Sequence, residues 1–346
     1  MANGRLLQNL TIGAFLLTAG VSAWGADEKK APPSWNPERK QVRVAYVTAS
    51  AAMVEVWVAV DKGYFKEYGL SVEPVLTRTV SGVQALIAGD VQFVYSACTQ
   101  IMTARKAGAD MVILASMIPY NLYTISARPE IREPKQLIGK QIAIAQLGDT
   151  THLSARFALQ QAGINPDAVT YVQGGGTPAR LAMLESGAVE AAILSGEALE
   201  RVKASGMSVV INLFERKLPY CNSGIGVSKA FMAANPRTVE AFMRGIVKGN
   251  AYAREGNPED VKMIIAKYLK TSPRDPKLIY AYNFYPKLVK SKHPSIPQDG
   301  IAFIISELAV RDKSWGDWRP EQFYDSTVLD QLKDEGFLEL VYQHLR

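Results

Sequence analysis

The 346-residue chain is 48% hydrophobic, with 26 Gly and 18 Pro, a globular composition without the bias of disordered segments. At roughly 150 residues per domain it has room for about two. Its formal charge of +6 is spread along the chain with no basic tract, so the footprint of a nucleic-acid binder is missing and a solvated basic surface accounts for the excess.

Residues 1–25 read as a secretory signal. Arg5 supplies the positive start, residues 10–21 an apolar stretch too short to span a bilayer, and Ala23-Trp24-Gly25 a small-x-small cleavage site before Ala26. An uncleaved anchor is the alternative; no cysteine lies nearby to carry a lipid. Polar, Pro-containing residues 26–41 lead into the first strand, over 42–47. A small-residue loop follows, then a helix whose apolar Val54, Trp57, Val58 and Phe65 recur near helical spacing. Gly69 sits where a helix end wants a residue tolerant of positive φ, and 71–75 is the next strand. Such a β-α-β unit builds a parallel sheet, with ligands at the carboxyl ends of its strands.

The pattern repeats. Ser81 is placed to cap a helix over 82–88, followed by a strand over 91–95, a loop over 96–99, a helix over 100–107 and a strand over 111–116. Residues 117–123 form an apolar, aromatic crossover. Strands are then expected at 124–127, 141–145, 169–172, 189–194 and 207–213, with helices between them. Residues 220–224 look like a second crossover, 225–228 like a strand returning to the first lobe, and the remainder is mostly helical. The division is therefore 42–120 with 224–346 as one lobe and its C-terminal helices, and 121–223 as the other.

Three runs carry a likeness: WVAVDKGYFKEYGLSVE at 57–73, SGVQALIAGDVQF at 81–93 and KQLIGKQIA at 135–143. In this order they resemble the periplasmic solute-binding proteins of the nitrate/sulfonate/taurine/thiamine-precursor group, which feed ABC importers. The likeness covers roughly 42–268. It implies an α/β, type II periplasmic-binding fold: two lobes with parallel-type sheets, two crossovers, and a cleft that closes on its ligand by a hinge. It also implies an exported periplasmic monomer that needs no cofactor and delivers a small anionic or aromatic molecule to an ABC permease.

Candidate ligand contacts lie at strand ends and crossovers. Thr150 and Thr151 follow a strand and open a helix, where free N–H groups and the helix dipole favour an anion. Plain capping by Asp149 or Thr150 is the alternative, and the Asp149 carboxylate would compete with a dianion. Ser50, Ala52 and Met53 line the first strand-end loop, Ser96 and Cys98 the third, and Ser195 and Glu197 one in the second lobe. Glu197 would meet a cationic or hydroxylated group, or cap its helix. Asn121 and Tyr123 belong to the first crossover and Asn222 to the second, where they and their aromatic neighbours either hold a ring or pack the hinge. Cys98 and Cys221 would be exported together; a disulfide is open to them, but two free, partly buried thiols are the expected state.

Enzyme signals are poor. His152, His293 and His344 are too scattered for a metal set. No Gly-x-Ser-x-Gly occurs, and Gly174-Gly175-Gly176-Thr177 lacks the rest of a P-loop. Thiamine-precursor synthases of the resembling group carry a Cys-rich iron motif that this chain lacks. No catalytic or metal-ligating residue is assigned. The rival classes are an enzyme of thiamine-precursor or related metabolism and a binding module for a sensor.

Overall fold

The computed structural model describes residues 35–46, 49–77, 82–343 and 345. The secretory signal, the Ser81 cap and His344 lie outside the described residues. In chain order the first segment gives β1 (Gln41–Tyr46), α1 (Val54–Asp61), β2 (Ser71–Leu76), α2 (Gly82–Ile87), β3 (Phe93–Ala97), α3 (Cys98–Lys106) and β4 (Val112–Tyr120). The second gives β5 (Tyr123–Ala127), β6 (Gln141–Ile144), α4 (Thr150–Gln161), β7 (Thr170–Gln173), α5 (Thr177–Glu185), β8 (Ala191–Ser195), α6 (Leu199–Ala204), β9 (Ser208–Asn212) and α7 (Leu213–Arg216). After β10 (Pro219–Val227) come α8 (Lys229–Ala234), α9 (Pro236–Glu255), α10 (Pro258–Leu269), α11 (Pro276–Tyr282), a π-helical turn (Asn283–Val289), α12 (Gln298–Arg311), α13 (Thr327–Asp334) and α14 (Phe337–Gln343).

Two five-stranded sheets result, ordered β2-β1-β3-β10-β4 and β7-β6-β8-β5-β9. Both are mixed, where parallel-type sheets were expected. β1 runs parallel to β2 and β3, but β10 is antiparallel to β3 and β4. In the second sheet β6 runs parallel to β7 and β8, and β5 is antiparallel to β8 and β9. The antiparallel strands are those beside the two crossings: β5 follows the first, and β10 makes the second. Each arrives from the other sheet, β5 from β4 and β10 from β9 by way of α7, and not by a β-α-β crossover within its own sheet, the connection that sets neighbouring strands parallel.

The core of the first sheet is built on α1. Val54, Val56, Trp57, Val58 and Ala59 are completely buried, and the Trp57 ring stacks on Tyr268 of α10 at 4.9 Å. Gly249 of α9 allows that helix to touch α1 backbone to backbone; a Cβ there would stand 2.1 Å from the Glu55 carbonyl oxygen. The expected turn at Gly69 is present, with φ of 70°.

Local boundaries differ in two informative places. No loop separates β3 from α3: of the residues read as a loop, Ser96 and Ala97 end β3, and Cys98 and Thr99 open the helix. Residues 220–224, expected as a crossover ahead of a strand at 225–228, are already part of β10, one continuous strand from Pro219 to Val227. The expectation of free thiols is also overturned. Cys98 and Cys221 form a disulfide, their Cα atoms 5.7 Å apart, because β10 lies beside β3 and carries Cys221 past the start of α3.

Candidate functional site

A cleft of about 620 Å³ opens between the helices of the first sheet and the loop at the carboxyl end of β6. Its walls are α2, α3, residues 146–149 and the start of α4; Tyr123, Asn222 and Ser223 also line it. Two helices therefore begin at this cleft, one from each sheet, and their starts are built differently.

The start of α4 is capped. Asp149 Oδ1 accepts from the backbone N–H of Thr151 at 2.9 Å and of His152 at 3.0 Å, and from Thr151 Oγ1 at 2.7 Å. Thr151 Oγ1 in turn accepts from Ala145 N at 2.7 Å. These amides and this hydroxyl, read as open to an anion, are already satisfied, so the capping alternative describes Thr151. His152 is buried on the same turn. Its Nδ1 accepts from Gly148 N at 3.1 Å, and its ring meets Tyr171 edge-on at 4.6 Å. Burial, then the charges of Arg311 and Arg156, hold its pKa down to about 4, so it is neutral at pH 7.

The start of α3 is uncapped. Its N-cap is Ala97, which has no side-chain acceptor, so its first N–H groups keep their unspent donor capacity. Next to it Asn222, 8% exposed, lines the cleft with an Nδ2 that has no protein partner. The disulfide fixes these two features together, since Cys98 opens α3 and Cys221 precedes Asn222. Thr99 Oγ1 of α3 and Thr150 Oγ1 of α4 meet at 2.9 Å and join the two helix starts.

Apart from the residues that line the cleft, Ser50 caps a short 3-10 turn, Ala51–Met53, by accepting from Ala52 N at 3.3 Å. The Ala52 carbonyl accepts from Tyr95 Oη at 2.9 Å and from Lys290 Nζ at 2.6 Å. Lys290 is also 2.6 Å from Glu55 Oε2, and both side chains are fully buried. Burial lowers the Lys290 pKa, against the raising effect of Glu55. From the second sheet, Glu197 lies beside Tyr285 and Ser195; burial raises its pKa, and the two hydroxyls beside it oppose the rise. The Tyr285 hydroxyl lies between Glu197 and Ser50, and burial pushes the nearby Tyr123 phenol up to about 12.

The residues expected to touch a ligand thus divide. Tyr123, Thr150, Thr151 and Asn222 line the cleft. Ser50, Ser195 and Glu197 gather around Tyr285, outside the residues that line the cleft. Met53 and Cys98 are buried in the scaffold, and Ala52 serves through its carbonyl. Ser96 bonds to Gln100 Oε1 at 2.5 Å. Asn121 packs the crossing, donating to Ser154 Oγ at 2.8 Å and accepting from Tyr123 N at 3.0 Å. Thr99, Gln100 and Tyr285 were not anticipated. The first two would have emerged had the helix been started at Cys98; Pro286, inside a helix, was the available signal for the third.

The family model described as NMT1/THI5 like matches residues 51–261, more than half of the chain. No curated protein matches. Among solved structures, a Bordetella bronchiseptica RB50 protein is similar with a TM-score of 0.67 and 20% identity, over 87% of this chain and 99% of that one. The periplasmic aliphatic sulphonate binding protein SsuA of Escherichia coli is similar with a TM-score of 0.67 and 16% identity, over 83% and 92%. The periplasmic nitrate-binding protein NrtA of Synechocystis PCC 6803 is similar with a TM-score of 0.64 and 14% identity, over 86% and 89%. The chain belongs to the NMT1/THI5-like family, on the fold of the periplasmic binding proteins.

Proposed function

We propose that this protein is the exported solute receptor of an ABC importer. In this reading a small molecule is held between two lobes, 42–120 with 224–346 and 121–223. Closure about the two crossings then presents the liganded form to a membrane permease. The observation that carries the reading is the pairing of an uncapped α3 start with the buried, unpartnered Asn222 amide in one cleft. Both are donors aimed at the same space, and a buried donor without a partner costs about 1–3 kcal/mol unless a ligand satisfies it. A ligand with an acceptor or anionic end fits them, and the Glu197–Tyr285–Ser50 group would receive a donor on its other end. Closure follows if the ligand binds the closed form more tightly than the open one.

Native mass spectrometry of protein recovered from the periplasm tests capture. A discrete small molecule should be carried into the gas phase and lost in Asn222→Leu. Retention of the same molecule by that variant would move the site elsewhere. N-terminal sequencing of the recovered protein should begin at or near Ala26. A cross-linked complex with an ABC permease, as against a sensor, decides the partner, and steady turnover of the captured molecule would instead make the protein an enzyme.

A further inference from the structure

The turn Asn283–Val289 is π-helical and contains Pro286. Proline lacks the N–H and collides with the carbonyl four residues back, so an α-helix cannot continue through it undisturbed, and a local π turn is one way to absorb the disturbance. The turn and the helix before it direct three aromatic side chains at one tripeptide, Ser195-Gly196-Glu197, at the carboxyl end of β8. Tyr280 Oη donates to the Gly196 carbonyl at 2.9 Å. The Phe284 ring covers Gly196 so closely that a Cβ there would stand 2.7 Å from two ring carbons. Tyr285 places its hydroxyl near the Glu197 carboxyl.

The same turn is fastened to the first sheet. Lys290 N donates to the Tyr285 carbonyl at 3.0 Å. The buried Lys290 side chain holds Glu55 of α1 and the Ala52 carbonyl, each at 2.6 Å. On the opposite side Gly196 is held within the second sheet's own segment, its N–H donating to Leu122 O at 2.9 Å. Phe284 also leans on Phe214 of α7 at 5.3 Å. One face of the turn is therefore fixed to the first sheet and the other grips the second.

We propose that this π-helical turn is the latch that holds the two sheets together, with Gly196 as the striker plate on which Phe284 and Tyr280 close. The proposal rests on the reading that the two lobes open and close about the crossings. Glycine at 196 is needed for space: its φ is not positive, so alanine can adopt the backbone, and the obstacle is the ring. Phe284 is 2% exposed and enclosed by Phe214, Tyr280 and Tyr285, so it has no free direction in which to move aside.

The test needs no solute. Spin labels at Lys66→Cys and Lys140→Cys, both exposed and attached to different lobes, report the separation by pulsed electron resonance while the native cysteines remain bonded to each other. Gly196→Ala should shift the distance distribution to longer separations. Tyr280→Phe, which removes only the hydroxyl bond, should shift it less and in the same direction. Gly196→Ala with Phe284→Leu should return it toward the parent. A folded Gly196→Ala protein with the parent distribution, or a double variant as displaced as the single one, overturns the latch. Should Gly196→Ala fail to fold, an unchanged distribution in Tyr280→Phe overturns it alone. Failure to capture a solute would be read from the mass spectra and leaves these distances as they are, so the two readings fail separately.

Discussion

The starts of α3 and α4 face one cleft, each beyond the carboxyl end of a strand, and are secured by opposite means. At α4, hydrogen bonds consume the donors: the Asp149 carboxylate takes two amides and a hydroxyl. At α3, a covalent bond from Cys98 to Cys221 fixes the turn, and Ala97 leaves its amides open. The difference teaches that a helix start at a strand end is an anion site only while its own cap leaves room. Position supplies the dipole; the residue before the helix decides whether a ligand or the protein uses it.

The comparison breaks most visibly at the disulfide. Replacing both cysteines, Cys98→Ala with Cys221→Ala, removes a bridge between residues 123 apart in sequence. The chain-entropy relation puts the loss at up to about 5 kcal/mol. Denaturant unfolding without reductant should show it, and thiol counting on the denatured, unreduced parent should find none. Two titratable thiols would mean that α3 is held by packing alone.

The capped start makes a pH-dependent prediction. His152 has a folded pKa lowered from 6.5 to about 4, so its neutral form is the one the fold accepts. The stability it contributes is present above pH 6.5 and is lost as the pH falls from there toward 4, by about 3 kcal/mol at 1.36 kcal/mol per unit. His152→Asn keeps an acceptor for Gly148 N and removes the titration. Its melting temperature should fall less steeply than the parent's over that range; parallel curves would place the acid sensitivity elsewhere.

Asp149→Ala sharpens the contrast between the two starts. It should cost about 1–2 kcal/mol as a lost cap, read by thermal melting, and it frees the amides of Thr151 and His152. Thr151→Ala should destabilise by about 1 kcal/mol with little effect on solute capture, because its hydroxyl serves the cap. A variant that captured the solute poorly but melted normally would return Thr151 to the ligand. The smallest effect is expected from supplying the missing cap: Ala97→Ser should stabilise α3 by a few tenths to about 1 kcal/mol and weaken capture by occupying the open amides. Unchanged capture in a stabilised protein would remove α3 from the site.

The β-α-β units, the two crossings and the order of the helices were legible because glycine turns and apolar periodicity are local properties. The helix start after Asp149 was legible too, including the possibility that Asp149 caps it. What escaped depended on distant partners. The pairing of Cys98 with Cys221 follows from β10 lying next to β3, which no spacing reports. Residues 220–224 read as a crossover, yet they continue into β10, where Ser223 and Gly224 pair with β3 on one side and β4 on the other. Tyr285 was hidden in a helical stretch until the π turn at Pro286 brought its hydroxyl between Ser50 and Glu197.

The position of β10 also sets an order in time. Every strand of the second sheet lies between Tyr123 and Asn212, so that sheet has all its strands once this continuous stretch of chain has been made. The first sheet does not. Its β3 and β4 are separated by β10, which the chain supplies only after the whole second sheet. Until Val227 has emerged, the earlier domain exists as two unjoined pieces, and the pairing that unites them carries the long sequence separation that slows folding. The half of the molecule that is synthesised first is thus the half that is finished last.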